Sequence, residues 1–151
     1  MQEQNTINRP KDGLVIIRQG ETFYGIYSSR VLEIVNEPRI TAMPKQPDYL
    51  RGLFNYKGRI VPVLSFGKLC GEERKEQERV CILFSLHHQT MGMLVEDVTK
   101  MIYDEGREIP CSEEERIRDH ICIRKVLMET VPVFVLDLPE VIKRLGTAAR
   151  T

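Results

Sequence analysis

Apolar residues in this chain fall in short runs cut by turn signals, and the runs predict strands. Leu14 to Arg18 follows Asp12-Gly13 and reads as a strand; Gln19-Gly20-Glu21 turns it back into Thr22 to Tyr27. Val31 to Val35 is a further strand. Pro38 to Pro47 holds three prolines and no period, so it reads as a loop. Gly52 to Phe66 reads as a hairpin, with a Lys57-Gly58 turn and a second arm carrying Pro62. Gly71 to Arg79 is charged and reads as a solvated connection. Val80 to Leu86 is apolar apart from Ser85, which predicts a strand buried on both faces. His88-Gln89-Thr90 turns into Met91 to Val95, and Val98 to Tyr103 is another strand. Glu105 to Asp119 reads as a long loop with a helical turn at Glu113 to Arg116. Ile121 to Met128 and Val131 to Leu136 form a hairpin around Glu129-Thr130. Pro139-Glu140 then opens a helix, Glu140 to Leu145, ended by Gly146.

Pro62 gives the pattern its direction. Proline cannot donate to a strand ladder, so it marks an edge, a bulge or a sheet corner. The chain repeats the device: Val61-Pro62-Val63 is echoed by Val131-Pro132-Val133. Gly25-Ile26 with Val31 and Ile34 is echoed by Gly92-Met93 with Val98 and Met101. Both echoes lie about 70 residues apart, which points to two copies of one β unit. The expected fold is all-β: two small five-stranded barrels, intertwined and sharing a core, plus a short C-terminal helix. The first barrel is expected mainly over 22–70 and the second over 80–137 with the 14–19 strand. Together they form one domain over 14–145, between polar tails at 1–13 and 146–151.

Composition removes several function classes. Among 151 residues, 22 basic side chains balance 22 acidic ones, so no net field attracts nucleic acid or an anionic membrane. No run is long and apolar enough to span a bilayer, and Met1 to Asn8 lacks the apolar core of a secretory signal. The four cysteines lack any Cys-x-x-Cys spacing, and with His87, His88 and His120 they make no metal motif. Reduced thiols in a cytoplasmic protein are expected. Gly67-Lys68 lacks the rest of a phosphate loop. Ser28-Ser29 lacks a nucleophile elbow. Glu96 and Asp97 are adjacent, so in a strand they should face opposite ways.

Tyr24-Gly25-Ile26, Val31-Leu-Glu33-Ile34, Pro44, Tyr49-Leu-Arg-Gly52, Asn55-Tyr-Lys-Gly58, Val61-Pro62-Val63 and Gly92-Met-Leu-Val95-Glu-Asp-Val98 occur in an order that resembles the CheW-like domain of bacterial chemotaxis. The resemblance runs from about Leu14 to Leu145. It is closer to the free-standing adaptor than to the C-terminal domain of the kinase CheA or to CheV, which adds a receiver domain.

That resemblance implies a scaffold without catalysis and without a cofactor. It would bridge the cytoplasmic tip of methyl-accepting chemoreceptors to the regulatory domain of CheA, as a monomer recruited to membrane-attached arrays. Carried over by position, a receptor-facing groove would use Val31, Glu33, Gly52, Asn55, Lys57 and Val98. A kinase-facing surface would use Asn36, Arg39, Ile40 and Thr41. The family commonly has arginine at Lys57, and lysine lacks the planar fork that grips a carboxylate. It usually has aspartate at Ser65, and also at Glu96. These departures bear on partner choice, and an adaptor of an accessory, non-motility pathway is the alternative.

Plainer readings stand beside these. Glu33 and Lys57 could be solvated charges, Gly52 and Gly58 turn glycines, and Val31 and Val98 ordinary core. A nucleic-acid-binding barrel would need Tyr24, Tyr27, Phe54 and Tyr56 to serve as stacking aromatics in a basic groove. A small enzyme would need Glu33 or Glu96 buried against a histidine.

Overall fold

The computed structural model describes residues 13–70, 77–103, 107–110 and 122–143. Eleven strands run through them: β1 (Leu14–Gln19), β2 (Thr22–Tyr27), β3 (Val31–Asn36), β4 (Leu50–Tyr56), β5 (Arg59–Ser65), β6 (Val80–Leu86), β7 (Gln89–Val95), β8 (Asp97–Ile102), β9 (Arg107–Ile109), β10 (Cys122–Met128) and β11 (Val131–Leu136). One sheet has the order β8-β1-β2-β11-β10-β9, the other β3-β6-β7-β5-β4. A short helix, α1 (Phe66–Leu69), follows β5, and 138–143 form a second, α2. The α2 start lies two residues earlier than expected because Asp137 caps it, its carboxylate accepting from the Glu140 N–H at 3.2 Å. The expected end at Leu145-Gly146 and the expected turn at 113–116 lie outside the described residues.

The two halves are intertwined. Hairpin β1–β2 pairs into the sheet completed by β8 to β11, and hairpin β6–β7 into the sheet of β3 to β5. This corrects the expected allotment: Thr22–Tyr27 belongs with the later strands and Val80–Val95 with the earlier ones. A hairpin closes locally, but long-range apolar surface decides which sheet it joins, and local sequence does not carry that information. The strand count also changes from five and five to six and five. The extra strand is β9, inside the segment read as a loop; it pairs with β10 through three residues, too few to show a period. The five-stranded sheet has a reduced counterpart, a single bridge from Thr41 to Leu53 on β4.

Both sheets are antiparallel except at one seam each, where β5 runs parallel to β7 and β11 parallel to β2. Pro62 and Pro132 sit beside these seams. The parallel ladders begin at Val63 and Val133, so each proline lies one residue before its strand gains a second partner. There the missing N–H costs no ladder bond.

Three clusters make the core. Leu14, Ile16, Val126, Val133 and Val135 cluster within the six-stranded sheet. Val61, Val63, Cys81, Leu83 and Leu94 cluster within the five-stranded one. The largest lies between the sheets, and includes Val15, Ile17, Phe66, Ile82, Phe84, Met93 and Leu136, with Leu138 and Val141 from α2. β6 supplies Ile82 and Phe84 to the shared core and Cys81 and Leu83 to its own sheet, which is why it is apolar on both faces. Tyr24 is buried edge-on against Phe66, ring centroids 4.8 Å apart, so this aromatic packs the core and is not a stacking platform.

Candidate functional site

The residues expected at a receptor groove fall into three places. The first is the turn between β4 and β5. Lys57 and Gly58 have φ of 52° and 84°, the consecutive left-handed pair of a tight hairpin. Asn55 Oδ1 accepts from the Gly58 N–H at 3.0 Å and so closes the turn. Tyr56 Oη donates to Glu33 Oε1 at 2.9 Å, and the Lys57 ammonium lies 5.2 Å from the Tyr56 ring centroid. Glu33, Tyr56 and Lys57 thus make one polar patch joining β3 to β4.

Val31 on β3 and Val98 on β8 are the second place. They lie on outer strands of different sheets, and both are half-buried against the shared core. On the same two outer strands Leu32, Ile34 and Met101 expose 49%, 40% and 44% of their surface.

Gly52 is the third, and the turn reading of it is corrected. It is buried inside β4, where the β4–β5 register shifts between Leu50 and Gly52. Its φ is +141°, and a Cβ there would fall on the Thr41 carbonyl oxygen and 2.7 Å from Ile40 Cγ2. It serves a bulge and a close backbone approach. That approach places the Ile40–Thr41 segment: Thr41 and Leu53 exchange two backbone hydrogen bonds of 2.9 Å. Ile40 packs on the five-stranded sheet's core, while Asn36, Arg39 and Thr41 are exposed around it.

A buried polar network lies beneath this edge, and its centre was missed. Glu78, at the end of the run read as solvated, has a fully buried side chain; the earlier part of that run, 71–76, lies outside the described residues. Its carboxylate accepts from Gln19 Nε2 at 2.6 Å, the Gly67 N–H at 2.6 Å and Ser65 Oγ at 2.7 Å, and it faces Arg51 Nη1 at 3.5 Å. Burial pushes the Glu78 carboxyl up from its ordinary value; the bonds from Ser65, Gly67 and Gln19 and the Arg51 charge oppose that. Ser65 also caps α1, accepting from the Lys68 N–H at 3.2 Å. The one available sequence signal was Ser65 itself, a hydroxyl where the resembled family has an acid. Here the acid arrives from the approach to β6.

Gln19 extends the network, its Oε1 accepting from the Glu96 N–H at 3.1 Å. Glu96 is buried and accepts from the Gly20 N–H at 3.0 Å and Arg18 Nη1 at 3.2 Å. The expected separation of Glu96 from Asp97 does not isolate them from a common group: Arg18 also reaches Asp97 Oδ2 at 3.9 Å, and Glu96 lies at the bend between β7 and β8, not within a strand. The contacts that Glu96 Oε1 makes here are with a backbone amide and an arginine.

Clefts open on the surface, and two bear on these residues. One, of about 570 Å³, is lined by Glu37, Pro38, Ile40, Arg51, Glu78 and Arg79, with Leu94. The other, of about 600 Å³, lies between Tyr27, Arg30, Ser85 and the Leu136–Pro139 segment. Among the described residues no three His, Cys, Asp or Glu side chains converge to hold a metal ion. Cys81 is buried among aliphatic side chains, which pushes its thiol up to about 12. Among the described residues no helix is long and apolar enough to cross a membrane.

These features define an intertwined two-sheet β protein whose conspicuous elements are exposed apolar side chains on two outer strands, a polar patch and a cleft. The chain belongs to the CheW-like domain family, whose profile matches residues 13–145. It is 30% identical to the chemotaxis protein CheV3 of Helicobacter pylori over 54% of this chain and 27% of that protein. It is 26% identical to the chemotaxis protein CheW of Rhizobium meliloti over 64% of this chain and 63% of that one. It is also 29% identical to protein PilI of Pseudomonas aeruginosa, over 56% and 48%. The matched region thus spans between 27% and 63% of the length of these relatives. The scaffolding protein TtCheW of Thermoanaerobacter tengcongensis has the same fold, with a TM-score of 0.71 and 20% identity over 85% of each chain.

Proposed function

We propose that this protein is a non-catalytic adaptor that couples chemoreceptors to a CheA-type histidine kinase. In this reading it works in the cytoplasm, is recruited to membrane-attached receptor arrays, and is monomeric in isolation. The observation that carries the reading is the family match over 13–145, on a fold whose outer strands β3 and β8 expose Leu32, Ile34 and Met101. Val31 and Val98, flanked by Leu32, Ile34 and Met101, offer a strip suited to the apolar face of a receptor helix. Glu33 and Lys57 border it with opposite charges and would set register more than affinity. Asn36, Arg39, Ile40 and Thr41, with the cleft below them, would meet the kinase regulatory domain. Two modest sites on one rigid body couple their partners by geometry, and an array multiplies their effect.

Calorimetric titration with the regulatory domain of a CheA kinase from the same organism tests this, alongside Glu33→Ala and Lys57→Ala. One-to-one binding near micromolar strength is expected, with both variants keeping kinase binding and losing receptor coupling. Absence of heat and of co-elution with every cognate kinase domain would overturn it.

A further inference from the structure

The cleft between Ile40 and Arg79 has a charged group at its base that serves no solvated role. Glu78 lines this cleft, yet its side chain is fully buried, so it reaches the opening only through its neighbours. Those neighbours come from both sheets, and one of them, Arg51, is itself on the cleft wall. Gln19 belongs to β1 of the six-stranded sheet. Ser65 and Gly67 end β5 and begin α1. Arg51 lies on β4, one residue before the Gly52 bulge that seats Thr41. One carboxylate therefore joins the two sheets to the strand that positions the Asn36–Thr41 edge.

We propose that Glu78 is the positioning residue of this cleft, and that its ionised carboxylate holds Arg51, and with it the β4 and Ile40–Thr41 edge, in the shape a partner meets. The proposal rests on the adaptor reading for the partner's identity, a kinase regulatory domain, and not for the positioning itself. All three hydrogen-bonded neighbours are donors, so the arrangement suits the ionised form. A proton on Glu78 removes the charge facing Arg51 and adds a donor among donors, with only the Ser65 hydroxyl able to turn and accept. Among the described residues the other charged groups nearby include Glu96 and Arg18, reached through Gln19, Lys68, reached through Ser65, and Glu37 and Arg79 on the cleft wall. Burial places the Glu78 titration above that of an ordinary carboxylate.

The test follows backbone amides and kinase binding between pH 8 and pH 5. In the wild type the Gly67, Thr41 and Leu53 amide resonances should shift together with one midpoint, and Glu78→Gln should abolish that common step. Kinase-domain affinity should fall about tenfold over the same range in the wild type. In Glu78→Gln it should be weak throughout and flat with pH. Arg51→Gln, which leaves the carboxylate in place, should weaken kinase binding similarly and raise the midpoint at Gly67. This variant carries the test if Glu78→Gln does not fold. A Gly67 step without movement at Thr41 and Leu53 would overturn the proposal, as would parallel affinity profiles in wild type and Glu78→Gln. Failure of the wild type to bind any kinase domain would sink the adaptor reading, and the amide titration alone would still decide the role of Glu78.

Discussion

Tyr56 Oη donates a 2.9 Å hydrogen bond to Glu33 Oε1, although β4 and β3 are the two outer strands of the five-stranded sheet. The contact requires the sheet to curl until its edges meet. Val61, Val63, Cys81, Leu83 and Leu94 sit inside that curl, with Val35 and Tyr56 against them. The apolar cluster holds the curl, and the bond closes its exposed end. Tyr56→Phe keeps the ring and should cost no more than about 1 kcal/mol, the lower part of the range for one hydrogen bond. Urea denaturation checks this as a small midpoint shift at constant slope. A loss above about 2 kcal/mol would mean that the closure itself depends on the bond.

Gly52 and Gly58 both have positive φ, but they should respond differently to alanine. At Gly58 φ is +84° and a Cβ would meet nothing within 4 Å, so only the left-handed conformation opposes it, about 1 kcal/mol. At Gly52 the added carbon falls on the Thr41 carbonyl, which cannot move without breaking the Thr41–Leu53 bridge. Gly52→Ala should cost at least about 2 kcal/mol and speed amide exchange at Leu53. Equal losses at the two glycines would refute the crowding argument.

Hairpins were readable from local residues, since Lys57-Gly58 and Pro62 act through the backbone they sit in. The repeat was readable for the same reason, because Pro62 and Pro132 meet one topological need in each half. The exchange of hairpins between halves was not. Val80 to Leu86 looks equally buried whichever sheet receives it, and only long-range pairing chooses. Gly52 was misread because positive φ has two uses, in a turn or at a bulge, and only the partner strand tells them apart. Glu78 was missed because one buried acid in a charged run looks like its solvated neighbours. Its donors, Gln19, Ser65 and Gly67, are far from it in sequence. The placement of Val31 and Val98 on a shared core also needed both sheets.

Cys81 and Cys70 should differ in reactivity. Cys81 is buried beneath the five-stranded sheet, with its thiol pushed up to about 12, so almost no thiolate forms at neutral pH. Cys70, at the end of α1, is half-buried. Alkylation with peptide mapping at pH 8 should modify Cys70 in the native protein and reach Cys81 only at the rate of global unfolding. Comparable native rates at the two cysteines would show that the cluster around Cys81 opens far more easily than its packing implies.

Glu78 also gives stability a pH dependence whose sign can be stated. Its folded-state carboxyl is raised above the ordinary value of 4.5, with burial the largest cause. The folded protein therefore holds this proton more tightly than the unfolded chain does. The corresponding stability is fully present below the unfolded value and is lost as pH rises through the folded one. The unfolding free energy of wild type minus that of Glu78→Gln should fall as pH is raised from about 4.5 toward neutrality, then level off. Urea titrations at half-unit pH steps would measure it. Acid should thus raise global stability through this group while loosening the Arg51 edge, an opposition that a merely packed side chain would not produce. A difference that stays flat, or that rises with pH, would mean the ionised carboxylate is better compensated by Gln19, Ser65, Gly67 and Arg51 than its burial allows.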